Sequence, residues 1–306
     1  MVAAQMPKPK RTLRYGWDDR LFDFFVYAFL TFALLIVIYP LIYIVSSSFS
    51  SPSANISGRV ILWPVEPGIT AYQAVFRNSQ IMTGFRNSLF YAATGTALNV
   101  MMAMLAAFPL SRKKLFGRNV ISFFFVFTMF FSGGLVPHFL LIRDTLRMHN
   151  TIWALIIPGM MSVWYVILMR TYIQSSIPEE LIESVELDGC SVFRTLIHII
   201  MPLSKPIMAV VALYCAIGIW GNYFDALLFI RSAELQPLQI VLRNMLILNE
   251  MGSELIGDLR ETAQRQAMRV LLRYSVIVVS STPLLIAYPF VQKYFVKGIM
   301  IGSLKG

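Results

Sequence analysis

Apolar positions in this chain collect into long uninterrupted runs, each roughly 20 residues, the length that crosses a bilayer as a helix. Six such runs are predicted as spans, at about 21–48, 87–110, 119–141, 150–173, 206–230 and 270–291. The first carries Tyr27, Tyr39 and Tyr43 and a single acid, Asp23, near its beginning. The second is rich in Ala, Gly and Met, small or pliable residues that let helix backbones approach closely, which places it inside a bundle. The third has a Gly133-Gly134 pair and Pro137 toward its far end, where a broken helix is expected.

The polar segments define the rest. A Ser-, Pro- and Gly-rich stretch with Trp63 and Tyr72 separates the first two runs and must lie outside lipid. Residues 1–20 form a basic tail before an uncleaved first span, 174–205 a polar segment between spans four and five, 231–269 a long connector with an amphipathic run near Glu254 to Val270, and 292–306 a short tail.

Composition agrees with lipid as the solvent. Hydrophobic residues make up 57% of the 306 residues, charged residues 14%, and mean hydropathy is +0.66; a soluble domain carries about 25% charged residues. The formal net charge of +10 follows from basic residues at membrane edges rather than along one stripe, which argues against nucleic-acid binding. Two cysteines, Cys190 and Cys215, exclude a disulfide framework.

Lys8, Lys10, Arg11, Arg14 and Arg20, the tight Arg112-Lys113-Lys114-Arg118 turn, and Lys293, Lys297 and Lys305 fall on one side of a six-span topology, against Arg143 and Arg147 in the shortest opposite loop. The positive-inside rule then puts both termini and 174–205 in the cytoplasm and 231–269 outside. The chain reads as a multi-pass protein of the cytoplasmic membrane.

The 174–205 segment, SSIPEELIESVELDGCSVFRTLIHIIMPLSKP from Ser175, is the most informative stretch. Pro178 suits a first helical turn, and Glu179, Glu180 and Glu183 favour the positive helix end. Asp188-Gly189 ends that helix, Gly being the residue most at ease in the left-handed conformation past a C-terminus. Ser191 can cap a second helix with Val192, Leu196, Ile199 and Ile200 on one side and Arg194 and His198 on another. Pro202 and Pro206 close it. The product is a two-helix knob on a short base, shaped to dock into a partner; on physics alone a solvated interfacial loop would read the same way.

This segment resembles the EAA loop of ABC importer permeases: Glu183-Ser184-Val185, Asp188-Gly189 and Ile200-Met201-Pro202 stand at the motif's places, with Ser184 and Val185 for the two alanines and Cys190 where a small residue is usual. With Pro178, Glu180 and Leu181 also in place, the chain is similar to the carbohydrate-uptake permeases, MalG-like and LplC/YtcP-like, from span one to the last residue. The tail YPFVQKYFVKGIMIGSLKG resembles the MalG-like C-terminus. Trp220-Gly221-Asn222-Tyr223-Phe224-Asp225 looks like that family's Trp-Asn segment, with Gly221 as an apparent insertion.

The resemblance implies an all-α integral membrane protein with the six-helix type I importer fold and a cytoplasmic coupling loop at 174–205. ATPase coupling would fall on Glu180, Glu183, Ser184, Asp188, Gly189, Arg194 and Pro202, with Glu183 meeting a polar or basic group of the ATPase and Leu187, Val192 and Leu196 packing into its cleft. Lys297, Gly298, Gly302 and Gly306 would thread the interface between two ATP-binding subunits; a basic tail lying on anionic lipid is the alternative. The implied partners are a sister permease, those two ATP-binding subunits and an extracytoplasmic solute-binding protein, which segment 231–269 would contact. The implied cargo is an oligosaccharide or polysaccharide fragment.

No Gly-rich loop followed by Gly-Lys-Ser/Thr occurs, so ATP and Mg belong to the partner subunits and this chain binds no cofactor of its own. No metal-spaced His/Asp/Glu cluster or Gly-x-Ser-x-Gly nucleophile motif points to an enzyme. The first and second halves show no repeat of the kind that a stand-alone secondary transporter would carry; that class and an importer of non-sugar solutes stand as the alternatives.

Sugars are recognised through aromatic faces and amide or carboxylate groups. Trp220, Asn222, Tyr223 and Asp225 supply these within two turns of span five, and His138 beside Pro137 is a further candidate for the pathway. An acid within a span is expensive and is either functional or paired. For Asp225 the structural alternatives are Arg273 or a backbone turn near the outer surface.

Overall fold

The computed structural model describes residues 16–251, 268, 270–289 and 292. Every regular element among them is helical. Helix α1 (Trp17–Phe49) is followed by the short α2 (Pro52–Ile56) and α3 (Thr70–Arg77), and then by α4 (Ser79–Ser111). Helix α5 (Arg118–Phe130) leads into α6 (Leu135–Leu140), which continues through a π turn to Thr145; α7 (Trp153–Ile156) and α8 (Val163–Ser176) follow. The polar segment folds as α9 (Glu179–Leu187), α10 (Val192–Thr195), a π turn and α11 (Met201–Leu203). Helices α12 (Lys205–Gly221), α13 (Phe224–Phe229), α14 (Leu238–Met251) and α15 (Val270–Pro289) complete the described chain.

Three of these helices, α1, α4 and α15, are each long and apolar enough to cross a membrane, and bent pairs raise the number to five among the described residues. The break expected in span three is present, and the continuous spans expected at four and five are corrected. Span three is interrupted at Phe131–Gly134, and its two arms diverge by 107°. Gly134 sits at φ +84°, a conformation that an L side chain resists. Span four is interrupted around Pro158-Gly159, leaving α8 only 14 residues. The Gly159 carbonyl that the break frees accepts 2.7 Å from Asn99 Nδ2, a buried amide of α4, which is how irregular backbone survives at membrane depth. Span five stops at Gly221, and a second short helix restarts at Phe224.

Span two was expected from Asn87, but its helix starts at Ser79, because Asn78 caps it by accepting from the Gln80 and Ile81 amides. Asn87 instead donates to the Glu234 and Gln236 carbonyls and holds the outer connector. That connector carries helix α14 rather than being loop throughout; the amphipathic run from Glu254 to Val270 lies almost wholly outside the described residues, and the tail with Lys297, Gly298, Gly302 and Gly306 lies outside them.

Helix α4 is the central post, packed by α8, α12 and α14. Its small residues make this possible: a Cβ on Gly84 would come within 3.1 Å of the Leu238 Cα, so α14 lies almost on the backbone there. Two cores share the post. One lies toward the α9 end and joins Met104 and Phe108 to Met169, Ile173, Ile200 and Val211; the other, toward the opposite end, joins Ile81 and Ala92 to Trp220, Leu238 and Val276. Helix α1 buries nothing before Ser46, so its apolar sides face outward, as a lipid-facing helix requires. Its far end is pinned by serines: Ser46 donates to the Leu62 carbonyl and the Ser48 hydroxyl pairs with Tyr72 at 2.7 Å.

Candidate functional site

The polar segment between α8 and α12 folds as a helix, a glycine turn and a helix. Helix α9 ends in a double wrap: the Gly189 amide donates to the Glu186 carbonyl and the Cys190 amide to the Val185 carbonyl. This pattern requires a left-handed residue past the cap, and Gly189 has φ +76°. Ser191 then caps α10 by accepting from the Arg194 amide.

The knob is rooted in the bundle. Ile182, Leu196 and Ile200 are buried in the core with α4 and α8. Leu196 is thus unavailable to a partner, contrary to expectation, because the π turn that follows α10 rotates it inward. The apolar surface left outside is Leu187, 88% exposed at the tip, together with Val192 and Phe193. Phe193 carried no signal as an isolated aromatic; only the placement of the turn exposes it beside Val192.

Acids at 179, 183 and 186 recur at i, i+4 and i+7 and so line one face of α9. That face meets the basic turn between α4 and α5 in three ion pairs: Glu179 to Lys113 at 3.0 Å, Glu183 to Lys114 at 2.9 Å, and Glu186 to Arg112 at 2.9 Å. Glu183, expected to face the ATPase, is held within the chain here. The hydrogen bond from Lys113 pulls the Glu179 carboxyl below the ordinary carboxylate value, and the bond and charge of Glu183 raise the Lys114 ammonium. Both of those pairs are largely in solvent, whereas the Arg112 side chain is only 12% exposed. The sequence spacing of acids and bases contained this ladder, but the cations had been read only for their effect on topology. Above it, Ser111, Arg118, Gln174 and Pro178 help enclose a cavity of about 690 Å³.

Of the other expected coupling residues, Glu180 lines this cavity, Ser184 donates to the Leu181 carbonyl, and Asp188 caps α9 through its backbone. Arg194 offers its carbonyl to His198 Nδ1, and Pro202 lies in α11.

Of the expected substrate-pathway residues, the structure gathers three. His138, Asn222 and Asp225 line a cavity of about 100 Å³ with Ser88, Tyr91, Pro158 and Gly159. This cavity sits where the breaks in spans three, four and five come together, so three separate interruptions in the sequence build one pocket, apolar over most of its wall with a few polar side chains set into it. Asn222 Nδ2 donates to Asp225 Oδ2 at 2.5 Å and its Oδ1 accepts from the Asp225 amide, so the carboxylate is held by a neighbouring side-chain amide, neither by Arg273 nor by a backbone turn. Tyr223 is exposed. Trp220 leaves the site altogether: it is buried, edge-on to Phe85, and donates from Nε1 to the Ser280 carbonyl at 3.0 Å, a structural role joining α12 to α15. Ser88 and Tyr91 were missed because a lone Ser and Tyr in an Ala-rich span look like packing residues.

At roughly 30 Å³ per water the pocket holds a few waters and no sugar ring. On another face an apolar groove of about 690 Å³ runs along α4, α12 and α15 past Ala93, Ala97, Ala212 and Ala216. Among the described residues no group of three His, Cys, Asp or Glu side chains is placed to hold a metal ion.

The family model for the binding-protein-dependent transport system inner membrane component matches residues 2–301. The polygalacturonan/rhamnogalacturonan transport system permease protein YtcP of Bacillus subtilis (strain 168) is 35% identical, over 94% of this chain and 99% of that protein. LplC of the same organism is 36% identical over 94% of this chain and 96% of its own length. A chain in the crystal structure of a bacterial ABC transporter involved in the import of the acidic polysaccharide alginate superposes with a TM-score of 0.83 at 32% identity, covering 93% of this chain and all of that one.

Proposed function

The chain belongs to the binding-protein-dependent transport system inner membrane components, and from that premise we propose that it is one permease subunit of an ATP-driven importer, passing an oligosaccharide or polysaccharide fragment across the bacterial cytoplasmic membrane. It is a transport subunit and hydrolyses nothing itself. The observation that carries the reading is the α9–α10 knob: rooted in the core through Ile182, Leu196 and Ile200, braced by three ion pairs, and apolar at its exposed tip. A lever needs that combination, since a loose loop would absorb a partner's motion instead of passing it to the spans.

In this reading two ATP-binding subunits grip the tip at Leu187, Val192 and Phe193, and their closure moves α9 together with the α4–α5 turn. A sister permease lies along the small-residue groove of α4 and α12, and a solute-binding protein docks on the outer segments. Both termini are cytoplasmic, six spans cross the bilayer with spans three to five broken, and the tail at Lys297, Gly298, Gly302 and Gly306 reaches the ATPase interface. The pocket of His138, Tyr91, Asn222 and Asp225 lies on the solute's path and opens when the broken helices separate.

An acidic saccharide fits best. On the outward side of this topology every cation among the described residues is arginine: Arg59, Arg77, Arg86, Arg143, Arg147, Arg231 and Arg243, with no lysine. A guanidinium grips a carboxylate through two parallel hydrogen bonds, which an ammonium cannot do. The carbohydrates in the relatives' names, polygalacturonan and alginate, are uronates and agree with this.

The test is ATPase activity of the assembled complex in lipid nanodiscs with its binding protein, against neutral and uronic-acid oligosaccharides. Stimulation by uronates above neutral glycans is expected. Equal stimulation by neutral glycans would remove the acidic assignment, response to no saccharide would redirect the cargo to other solutes, and failure to recruit any ATPase would sink the importer reading.

A further inference from the structure

Two arginines beside the α4–α5 turn have no part in the ladder. Arg118 opens α5 and Ser122 lies one turn on, so the two share a face of that helix. Helix α8 packs against α5 and brings Arg170 onto this face, where its Nη1 donates to Ser122 Oγ at 3.0 Å. The Nε of Arg170 is buried with no hydrogen-bond partner. None of the ion pairs among the described residues involves either arginine. The two charges are close enough to act on each other.

This arrangement is incomplete by itself. A guanidinium does not shed its proton to escape a like charge, and a partly buried one without an anion is unfavourable. Of the acids of α9, Glu179, Glu183 and Glu186 are taken by Lys113, Lys114 and Arg112, and Glu180, which lines the same cavity as Arg118, makes no ion pair with it. The site sits at the end of the bundle that carries the coupling knob, where α5 begins. Phe116, 97% exposed, stands on the turn, and Phe123 and Phe124 are exposed along α5 beyond it. Exposed phenylalanine rings along an apolar span mark a lipid-facing surface.

We infer that Arg118 and Arg170, with Ser122, bind the phosphate of an anionic phospholipid from the leaflet on the coupling-knob side, its acyl chains lying over Phe123 and Phe124. One phosphodiester bridges the outer nitrogens of the two guanidiniums and removes the repulsion between α5 and α8. It also stiffens the base against which the ladder braces α9, so membrane composition would tune coupling. Placement in the cytoplasmic leaflet rests on the topology proposed above; the site's chemistry does not.

The experiment uses the assembled complex in nanodiscs of phosphatidylcholine with or without phosphatidylglycerol, reading retained lipid by native mass spectrometry and melting temperature in parallel. The wild type is expected to keep phosphatidylglycerol at a saturable site and to melt higher in its presence. Arg118→Gln should weaken that retention roughly tenfold, the equivalent of one charge-assisted pair, and Arg118→Lys should restore part of it. Arg170→Gln should act likewise; if that variant fails to fold, Arg118→Gln at the half-buried position carries the test. Equal retention by wild type and Arg118→Gln overturns the inference. So does the same stabilisation by millimolar inorganic phosphate in phosphatidylcholine discs, which would make the ligand a free anion. A melting loss on Arg118→Gln that is identical with and without phosphatidylglycerol also overturns it, because a carboxylate of a neighbouring subunit would then fill the site. These readouts need no saccharide, so they stand apart from any failure of the transport reading.

Discussion

The ion-pair ladder makes unequal demands on its three rungs, and Glu186→Gln tests this. Arg112 has a 12% exposed side chain and pairs with Glu186 at 2.9 Å, whereas the Lys113 and Lys114 side chains are largely in solvent. Removing the Glu186 charge leaves a shielded guanidinium with a weaker acceptor. A hydrogen bond to a charged group contributes about 1.5–3 kcal/mol, and Glu186 is itself 44% exposed, so screening reduces the expected loss to about 1 kcal/mol. That corresponds to roughly fivefold easier local opening. Hydrogen exchange of the α9 amides, measured by mass spectrometry on the assembled complex, should show this acceleration. Lys114→Gln should leave the same amides nearly unchanged, because its pair is solvated and screened. A double-mutant cycle between Arg112→Gln and Glu186→Gln should recover most of the loss as a coupling term. Equal acceleration by Lys114→Gln and Glu186→Gln would refute the argument from burial, and no acceleration by either would show that the apolar root alone holds α9.

Acid should loosen the knob: Glu179 has its carboxyl depressed by Lys113, so its contribution is present above the ordinary carboxylate value near 4 and is lost as pH falls through the lowered value, while the raised Lys114 contributes below the usual lysine value and is lost as pH climbs through its own. Protection factors of the α9 amides, which divide out the steep pH dependence of intrinsic exchange, should therefore fall on the acid side as Glu179 protonates and change little on the alkaline side; protection that is unaltered in acid would contradict the ladder. Gly189→Asp should abolish saccharide-stimulated ATPase while leaving membrane insertion and assembly intact: a Cβ there meets nothing within 4 Å, so the added group disturbs the left-handed turn and the docking tip rather than the core. Normal stimulation in that variant would remove the lever. Trp220→Phe should lower the melting temperature, by the loss of a buried hydrogen bond of about 1 kcal/mol plus packing, with the saccharide KM unchanged; a shifted KM at unchanged stability would return Trp220 to the solute path.

Much of the coupling site was legible in the sequence because its signals are local. Pro178, the acids of the first turn, Asp188-Gly189 and Ser191 each act on the backbone within a few residues, and α9, its glycine wrap and the Ser191 cap follow from them. The break at Gly133-Gly134 was legible for the same reason. Partner choice was not. Glu183 could have faced water, an ATPase or Lys114, and only the packing of α9 against the α4–α5 turn selects among them. Leu196 and Phe193 differ in fate through a π turn that no residue in α10 announces.

Short windows of sequence suffice to show that the chain belongs in lipid and that a capped two-helix knob interrupts its apolar runs, since hydropathy, helix caps and glycine turns are local properties. The tertiary structure decided where the spans break and what fills the breaks. Asn99 reaching the Gly159 carbonyl, Trp220 reaching Ser280, and the convergence of His138, Asn222 and Asp225 each join residues 60 or more positions apart or on separate helices. An apolar run reads the same whether its helix is whole or broken. A freed carbonyl at membrane depth is tolerable only when another helix brings a donor to it, and that is a fact of packing rather than of any one segment.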